Sequence, residues 1–197
     1  MADYTAVRDT VATVADLLER HITDSSDPVL TGIPVSTRSP RELEIDLITV
    51  AVSVWLHRVD TQPDLINRTP PRPDPGHSRR RPLPVELGVL VAPVHTDGLV
   101  QAQLLGRALQ VLADHATLAG TDLSGSLAGA SDPLRLTIDR PTPYDLSLVW
   151  GTLHTHMRPS VLLRVSGVVI DTHLADEDSH RVLTSELTVD QIVGVGS

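Results

Sequence analysis

The sequence has 197 residues, a formal net charge of −9, no Cys and no Phe, and arginine is its only strongly basic residue type. The absence of lysine excludes a Walker-type phosphate loop and a Schiff-base enzyme, and the absence of cysteine excludes thiol nucleophiles, disulfides and thiolate zinc sites. The acidic balance argues against nucleic acid as a partner, and no apolar run reaches the ~18 residues that a membrane-spanning helix needs. Because the opening residues MADYTAVRDT do not resemble a secretory signal, we expect a soluble protein without membrane insertion. The absence of cysteine fits a cytoplasmic protein but leaves the compartment open.

The first predicted elements are a helix and an irregular segment. Apolar residues recur at helical spacing from Val7 to Ile22, and Asp3 is a suitable N-cap, which predicts a helix that ends near His21. Residues 23–42 carry three prolines among small polar residues. We expect a loop there, with one short edge strand near Val35.

Two strands joined by a long connection follow. Residues 43–59 are rich in β-branched residues and alternate between two faces, which predicts a central strand, and residues 83–94 alternate in the same way. Residues 60–82 contain six prolines and few apolar residues, so we expect an extended, exposed loop. The two strands are expected to pair as a hairpin across this loop.

Residues 99–120 fit one helical period throughout and predict the central helix of the fold. One apolar row runs from Val100 to Val111, and a second runs beside it from Leu105 to Ala116. A stripe that wide predicts a helix that is nearly buried, with Gly120 at its end.

The last third of the domain alternates between strand and helix signals. Residues 121–132 are rich in Gly and Ser and are expected to form a flexible linker, and LRLTI at 134–138 predicts a short strand. Thr142 followed three residues later by Asp145 predicts a helix start of the capping-box type. The near-continuous apolar run at 160–170 predicts a strand that is buried on both faces.

Nine histidines raise the possibility of a metal or acid–base site. The closest grouping consists of His154, His156, Asp171 and His173. Its spacing matches no familiar ligand or catalytic pattern, so surface histidines are the simpler interpretation and a His/Asp hydrolase is a weaker alternative. The segment GSLAG at 125–129 places its serine one position too early for a hydrolase nucleophile elbow.

Two segments are candidates for contact with other proteins. The loop carries the concentrated positive charge of the chain, in Arg68, Arg72, Arg79, Arg80 and Arg81. The C-terminal arm, residues 173–197, contains an alternating stretch with the apolar residues Val182, Leu183, Leu187 and Val189. We expect the loop to dock on an acidic protein surface, with a loop that is merely solvated as the alternative. We expect the arm to add a strand to a neighbouring sheet, with an edge strand on its own sheet or a disordered tail as the alternatives. An adaptor that uses the loop alone is the alternative.

Taken in order, these segments resemble one protein family. They are a helix beginning DYTAV, a strand ending WLHRV followed by NRTPPRP, and then LLGRALQVLADHATLAG, LRLTI, YDLSLVWGTL and SVLLRVSGVVID. Over about residues 3–172 this order resembles the tail terminator, or cap, proteins of extracellular contractile injection systems. The most specific parts are LLGRALQVL, the run from Asp145 to Trp150, and SVLLRVSGVVID.

The resemblance implies a single α/β domain of the α+β type at residues 1–172, followed by the arm at 173–197. The expected architecture is a mixed, mainly antiparallel sheet of about four to six strands packed with about three helices. The implied role is a structural cap, not an enzyme and without cofactors, in which six copies form a ring that ends the inner tube and the sheath. Its partners would be further copies of the chain and the tube and sheath proteins. Assembly would take place in the cytoplasm of the producing bacterium. The resemblance does not decide whether the particle is then released.

Overall fold

The computed structural model describes residues 3–62, 82–129 and 132–171, together with the backbone of residues 77–78 and 177–178. The helices in these ranges are α1 (Ala6–Ile22), α2 (Pro40–Ile45), α3 (Gly98–Asp114) and α4 (Pro143–Leu153). The strands are β1 (Val35–Ser36), β2 (Ala51–Thr61), β3 (His77–Ser78), β4 (Leu83–Val94), β5 (Thr117–Leu118), β6 (Leu134–Ile138), β7 (Val161–Ile170) and β8 (Glu177–Asp178). Two short 3-10 helices, Gly120–Asp122 and Gly125–Leu127, lie between β5 and β6.

One six-stranded sheet organises the domain, in the order β1-β2-β4-β7-β6-β5. All neighbouring pairs are antiparallel except β1 and β2, which run parallel. The predicted mixed, mainly antiparallel sheet is confirmed, as is the hairpin of β2 and β4 across the long connection. Strands β3 and β8 form a separate two-stranded antiparallel pair.

The two faces of the sheet are covered differently. On the first face, α1 and α3 pack against the strands in one continuous aliphatic core that includes Leu18, Leu87 and Leu104. On the second face, α4 covers a smaller cluster around Leu90 and Trp150. Strand β4 is buried over most of its length because its side chains point alternately to the two covered faces.

The central strand begins later than predicted because a short helix precedes it. Residues 40–45 form α2, and β2 begins only at Ala51. Ser39 caps this helix: its hydroxyl accepts the Glu42 backbone N–H at 3.2 Å, and Glu42 Oε2 accepts the Ser39 backbone N–H at 2.7 Å. The Ser39 backbone N–H, together with the Ser39 hydroxyl that donates to Oε2 at 2.8 Å, holds the pKa of Glu42 below its usual range. The prediction of a strand from residue 43 is therefore wrong, since the capping box directs the chain into a helix.

The central helix is shorter and less buried than predicted. It ends at Asp114, and Thr117–Leu118 instead pairs with β6, so strand pairing overrides the helical pattern of the last residues. The row from Leu104 to Val111 is buried, whereas Leu105 and Leu109 in the second row are half-buried. Leu99, at the first turn, is 83% exposed.

The first helix matches its prediction apart from its cap. It begins at Ala6 and ends at Ile22. Asp3 lies two residues before the N-cap, Thr5, and accepts the Thr5 backbone N–H at 2.8 Å, so it orders the turn before the helix instead of capping it. The predicted edge strand near Val35 and the predicted helix start at Thr142 are both confirmed.

Two bulges curl the sheet near the end where the long loop leaves it. In β2, His57 is an extra residue opposite β4, and in β7 the extra residue lies at Ser166 and Gly167. Gly167 has a φ of +90°, and a β-carbon there would collide with the Pro133 carbonyl oxygen. Only glycine fits this position without a shift of the backbone.

Candidate assembly surface

Every residue predicted to contact partners lies outside the described residues. These are Arg68, Arg72, Arg79, Arg80 and Arg81 of the loop and Val182, Leu183, Leu187 and Val189 of the arm. What the structure does describe is the scaffold from which both segments leave. The described part of the candidate surface consists of their attachment points and the sheet edge beside them.

The loop and the arm leave from the same end of the sheet, which we call the loop end and define by Thr61, Leu83 and Ile170. In the register of the sheet, Thr61 lies opposite Val85, and Leu83 lies opposite Ile170. Strand β2 extends through Thr61, so the loop begins two residues later than predicted. Beyond this end the backbones of β3 and β8 pair, which links the loop to the arm.

A polar network holds the strands together near the loop end. Gln62 Nε2 donates to Glu86 Oε2 at 3.0 Å, which ties the end of β2 to β4. Arg164 on β7 donates through one terminal nitrogen to both carboxylate oxygens of Asp139, each at 3.0 Å, and its Nε lies 3.5 Å from Glu86 Oε1. The hydrogen bond to Asp139, and then its charge, raise the pKa of Arg164. The roots of both segments are thus fixed relative to one another.

The outer edge of β2 is open over most of its length. Strand β1 pairs only with Val52 and Ser53, although β2 continues to Thr61. Within the described part of the chain, no strand pairs with the remainder, which we call the β2 edge and define as residues 54–61. An ion pair between Arg58 and Asp60, 2.6 Å apart, lies on it. Charged side chains of this kind protect edge strands from unspecific pairing.

A groove runs beside the β2 edge, between it and α1, with a volume of about 510 Å³. We call it the α1–β2 groove. Apolar side chains and two arginines line it together with Thr37 and Glu42; the apolar ones are Val7, Val11, Ala12, Trp55 and Leu56, and the arginines are Arg8 and Arg38. An apolar floor with a charged rim is the usual composition of a protein contact, not of a catalytic pocket.

A third surface feature is the outer side of α4. Its inner side packs on the sheet through Trp150 and Leu153, but Tyr144 is 69% exposed and Leu148 is 51% exposed. Asp145 is the only charged residue of this helix, and its carboxylate is engaged in the cap with Thr142. A helix that is apolar on both sides is typical of one that becomes covered.

The histidines do not assemble into a site. His154 and His156 lie just before β7, whereas Asp171 follows its last residue. An extended strand of ten residues separates the two by about 30 Å at ~3.3 Å per residue. The structure therefore does not bring Asp171 next to His154 and His156, and His173 lies outside the described residues. Among residues 3–62, 82–129 and 132–171, no cluster of three or more His, Asp or Glu side chains is arranged to hold a metal ion.

The Gly-Ser segment is a packed joint, not the predicted flexible linker. Asp9 on α1 is buried, and its Oδ2 accepts the Ser126 backbone N–H at 2.8 Å and the Thr5 hydroxyl at 2.8 Å. Arg8 Nε donates to its other oxygen at 2.8 Å. The bond from Ser126 and the further donors lower the pKa of Asp9 far below its usual value of 3.8, despite burial. Gly125 has a φ of +62°, and a side chain there would overlap the Asp9 carboxylate.

This joint is what the sequence analysis missed at the N-terminal helix. A buried acid in the first turn of α1 faces a segment 117 residues further along the chain, so no local pattern connects them. The one available signal was Asp9 itself, a charged residue between apolar positions of the helical stripe.

No helix of the described residues has the length and apolarity to cross a bilayer.

Comparison with known proteins identifies one family model. The model of the Pvc16 N-terminal domain matches residues 9–184 of this chain. The match runs from the first helix through the whole sheet and beyond residue 172, where the predicted domain ends. A comparison with curated protein sequences gave no significant match.

Two solved structures are similar in fold. The sheath/tube terminator of PVC, an extracellular contractile injection system, in its extended state is 17% identical with a TM-score of 0.65, covering 96% of this chain and 65% of that chain. The tube-terminating cap of the anti-feeding prophage is 17% identical with a TM-score of 0.58, covering 92% of this chain and 61% of that chain. This chain therefore spans less than two thirds of the length of either structure.

Proposed function

The chain belongs to the Pvc16 N-terminal domain family, and from that premise we propose that it is a structural cap subunit of a contractile injection system. In this proposal, six copies form a ring that ends the inner tube and the sheath. The observation that carries it is the shared fold, since the family match and the similar terminator and cap structures extend over nearly the whole chain.

The architecture near the loop end supports an assembly role. A ring subunit needs surfaces that reach its neighbours, and here the loop and the arm leave from one end, while the β2 edge and the α1–β2 groove lie along one side. Closed rings are built from such heterologous contacts, in which two different surfaces of one chain meet. The separation of His154 and His156 from Asp171 supports this role over the hydrolase alternative, whose other candidate, His173, lies outside the described residues. We accordingly propose a non-enzymatic protein that requires no cofactor.

The proposed partners are other copies of this chain, the inner tube and the sheath. We assign the loop arginines Arg68, Arg72 and Arg79–Arg81 to an acidic surface of the tube or of an adjacent subunit. The arm, with Val182, Leu183, Leu187 and Val189, is assigned to a neighbouring sheet, where strand addition would satisfy unpaired backbone groups. We place assembly in the cytoplasm of the producing bacterium.

The direct test is particle assembly in producing cells with and without this chain. Electron micrographs should show tubes and sheaths with a uniform, closed end when the chain is present. Without it, the ends should be open and the lengths should spread. An unchanged length distribution and an unchanged end structure in its absence would overturn the proposed role.

A charge-reversal variant tests the loop separately. Replacing Arg79, Arg80 and Arg81 by Glu should leave the melting temperature unchanged while capped particles become fewer, because the contact surface changes sign. The matched control reverses three exposed arginines elsewhere, Arg20, Arg135 and Arg140, and should cap normally. Equal capping by both variants, or a loss of several degrees in the loop variant alone, would show that the loop is not a contact surface.

Removal of residues 182–197 tests the arm. The truncated chain should keep its helix content and remain a folded monomer, whereas rings should fail to form, since the arm is assigned to contacts between copies. If the arm instead folds on the sheet of its own chain, its amides will already be protected from hydrogen exchange in the free monomer. That result would contradict exchange of the arm between copies.

A further inference from the structure

We propose that the α1–β2 groove is the acceptor for residues 183–189 of a second copy of this chain, which add to the β2 edge as an extra strand. This inference rests on the proposed ring, because it names the surface that receives the arm of a neighbour. It follows from two features of the described residues, an incomplete sheet edge and an apolar cover over it, and from the length and residue pattern of the chain beyond β8.

The sheet lacks most of one strand at this edge. Strand β1 occupies the position next to β2 for only two residues, and the Val52 backbone N–H donates to the Pro34 carbonyl at 2.9 Å. Backbone groups of alternate residues point to the same side of a strand, so those of Val54 and Leu56 face the same open side. An extended segment placed there would continue the position that β1 begins.

The vacant position is already covered on one face. Helix α1 passes over it and contributes Val7, Val11 and Ala12, while Leu56 and Trp55 of β2 form the opposite wall. Val7 and Ala12 are only half-buried, although they belong to the apolar side of a helix that otherwise packs on the core. An added strand would bury alternate apolar side chains against them and leave the others in solvent.

The residue pattern of the segment fits the groove. Leu183, Leu187 and Val189 fall on one side of an extended strand, with polar residues on the other side. The apolar side would pack against α1, and the polar side would remain in solvent. The rim arginines are already paired, Arg8 with Asp9 and Arg38 with Asp46, so apolar contact carries this match.

The donor and the acceptor lie on different parts of the chain, which suits a ring. The arm passes through β8 beyond the loop end, and Leu183 follows Asp178 by five residues, a reach of up to ~18 Å. The groove lies along the outer edge of the sheet. A contact from the loop end of one copy to the edge of the next is heterologous and can close into a cycle, and each copy then gives one strand and receives one.

Engineered disulfides test this placement, because the natural chain has no cysteine to interfere. The variant pairs Thr37→Cys, at the rim of the groove, with Thr188→Cys in the arm. On oxidation, a gel run without reductant should show a ladder of linked chains that reaches six copies. The control pairs Thr188→Cys with Ala113→Cys, which is exposed on α3, and should remain a single chain.

Each outcome separates this inference from the proposed function. A disulfide within one chain would overturn donation to a second copy, and no disulfide in protein that forms rings by electron microscopy would overturn the groove as the acceptor. No disulfide and no rings would overturn the ring itself.

A second variant, Ala12→Arg, fills the groove and should weaken ring formation at least tenfold with the melting temperature unchanged, whereas Ala113→Arg on α3 should assemble normally. Equal assembly by these two variants would also overturn the inference.

Discussion

The two faces of the sheet differ in how the helices cover them and in what they contribute to the molecule. The first face is covered by α1 and α3 over a continuous core, from β2 to β6. The second face is covered by α4 around Trp150, and towards the loop end it carries the polar network of Arg164 instead. The first face therefore holds the fold together, while the second face and the β2 edge leave surface that further chains can cover.

The largest expected loss of stability is tested by comparing alanine variants of two leucines on one strand. Leu87 and Leu90 of β4 are both 0% exposed but belong to the first and the second core, respectively. Leu87→Ala should destabilise the fold by about 4 kcal/mol and Leu90→Ala by about 2 kcal/mol, because the smaller cluster can relax around the cavity. Unfolding in denaturant measures both. A cost for Leu90→Ala that equals or exceeds that for Leu87→Ala would contradict the division between the two faces.

The next effect concerns the joint that closes the first face. Asp9→Asn should lower the free energy of unfolding by about 2 kcal/mol at neutral pH, because a buried carboxylate loses charge-assisted hydrogen bonds. The folded-state pKa of Asp9 lies below the unfolded value of 3.8, so its contribution is present above that pH and is lost as the pH falls towards the folded pKa.

Unfolding curves of the natural protein and of Asp9→Asn between pH 2 and pH 7 measure this pH dependence, with the exposed Asp16→Asn as the control. The difference between the natural protein and Asp9→Asn should be constant above about pH 5 and should shrink at lower pH. A difference that grows on acidification would refute the role assigned to Asp9.

A smaller effect is expected from the network on the second face. Arg164 and Asp139 are both partly exposed, so water screens their attraction. A double-mutant cycle with Arg164→Gln and Asp139→Asn should give a coupling of at most about 1 kcal/mol. A coupling of several kcal/mol would mean that this part of the second face is as important to the fold as the first.

The smallest effect is expected at the outer side of α4. Leu148→Ser should change stability by no more than about 0.5 kcal/mol, since its side chain is half exposed, whereas Leu153→Ser on the inner side should cost several times as much. Thermal unfolding of the two variants compares them directly. Equal losses would show that α4 is buried on both sides in the free chain.

Sequence patterns predicted the elements whose signals are local. The alternation of β4, the apolar run of β7 and the capping box of Thr142 and Asp145 rest on neighbouring residues, and these elements appear where predicted. The same type of capping box at Ser39 was overlooked because its helix is only six residues long and merges into an apolar strand. The end of α3 was missed because Leu118 is committed to pairing with Leu134, which is distant in sequence.

The candidate surface depended more on distant contacts. The charged loop and the alternating arm were recognisable from composition, but the groove exists only because β1 stops after Ser36 while β2 continues to Thr61. No residue pattern in β2 indicates that its partner strand β1 is short. The Gly-Ser segment was misjudged for a similar reason, since Asp9 fixes it from the other end of the chain.

The central claim is that this chain closes a six-fold ring by contacts outside its own core. Cryo-electron microscopy of the capped particle end tests it most directly. We predict a ring of six copies, about 127 kDa in total for six chains of 21.2 kDa, with the first face of each domain unchanged and the α1–β2 groove filled by an extended segment of its neighbour. A single copy or a dimer at the particle end, with the groove empty, would contradict the account.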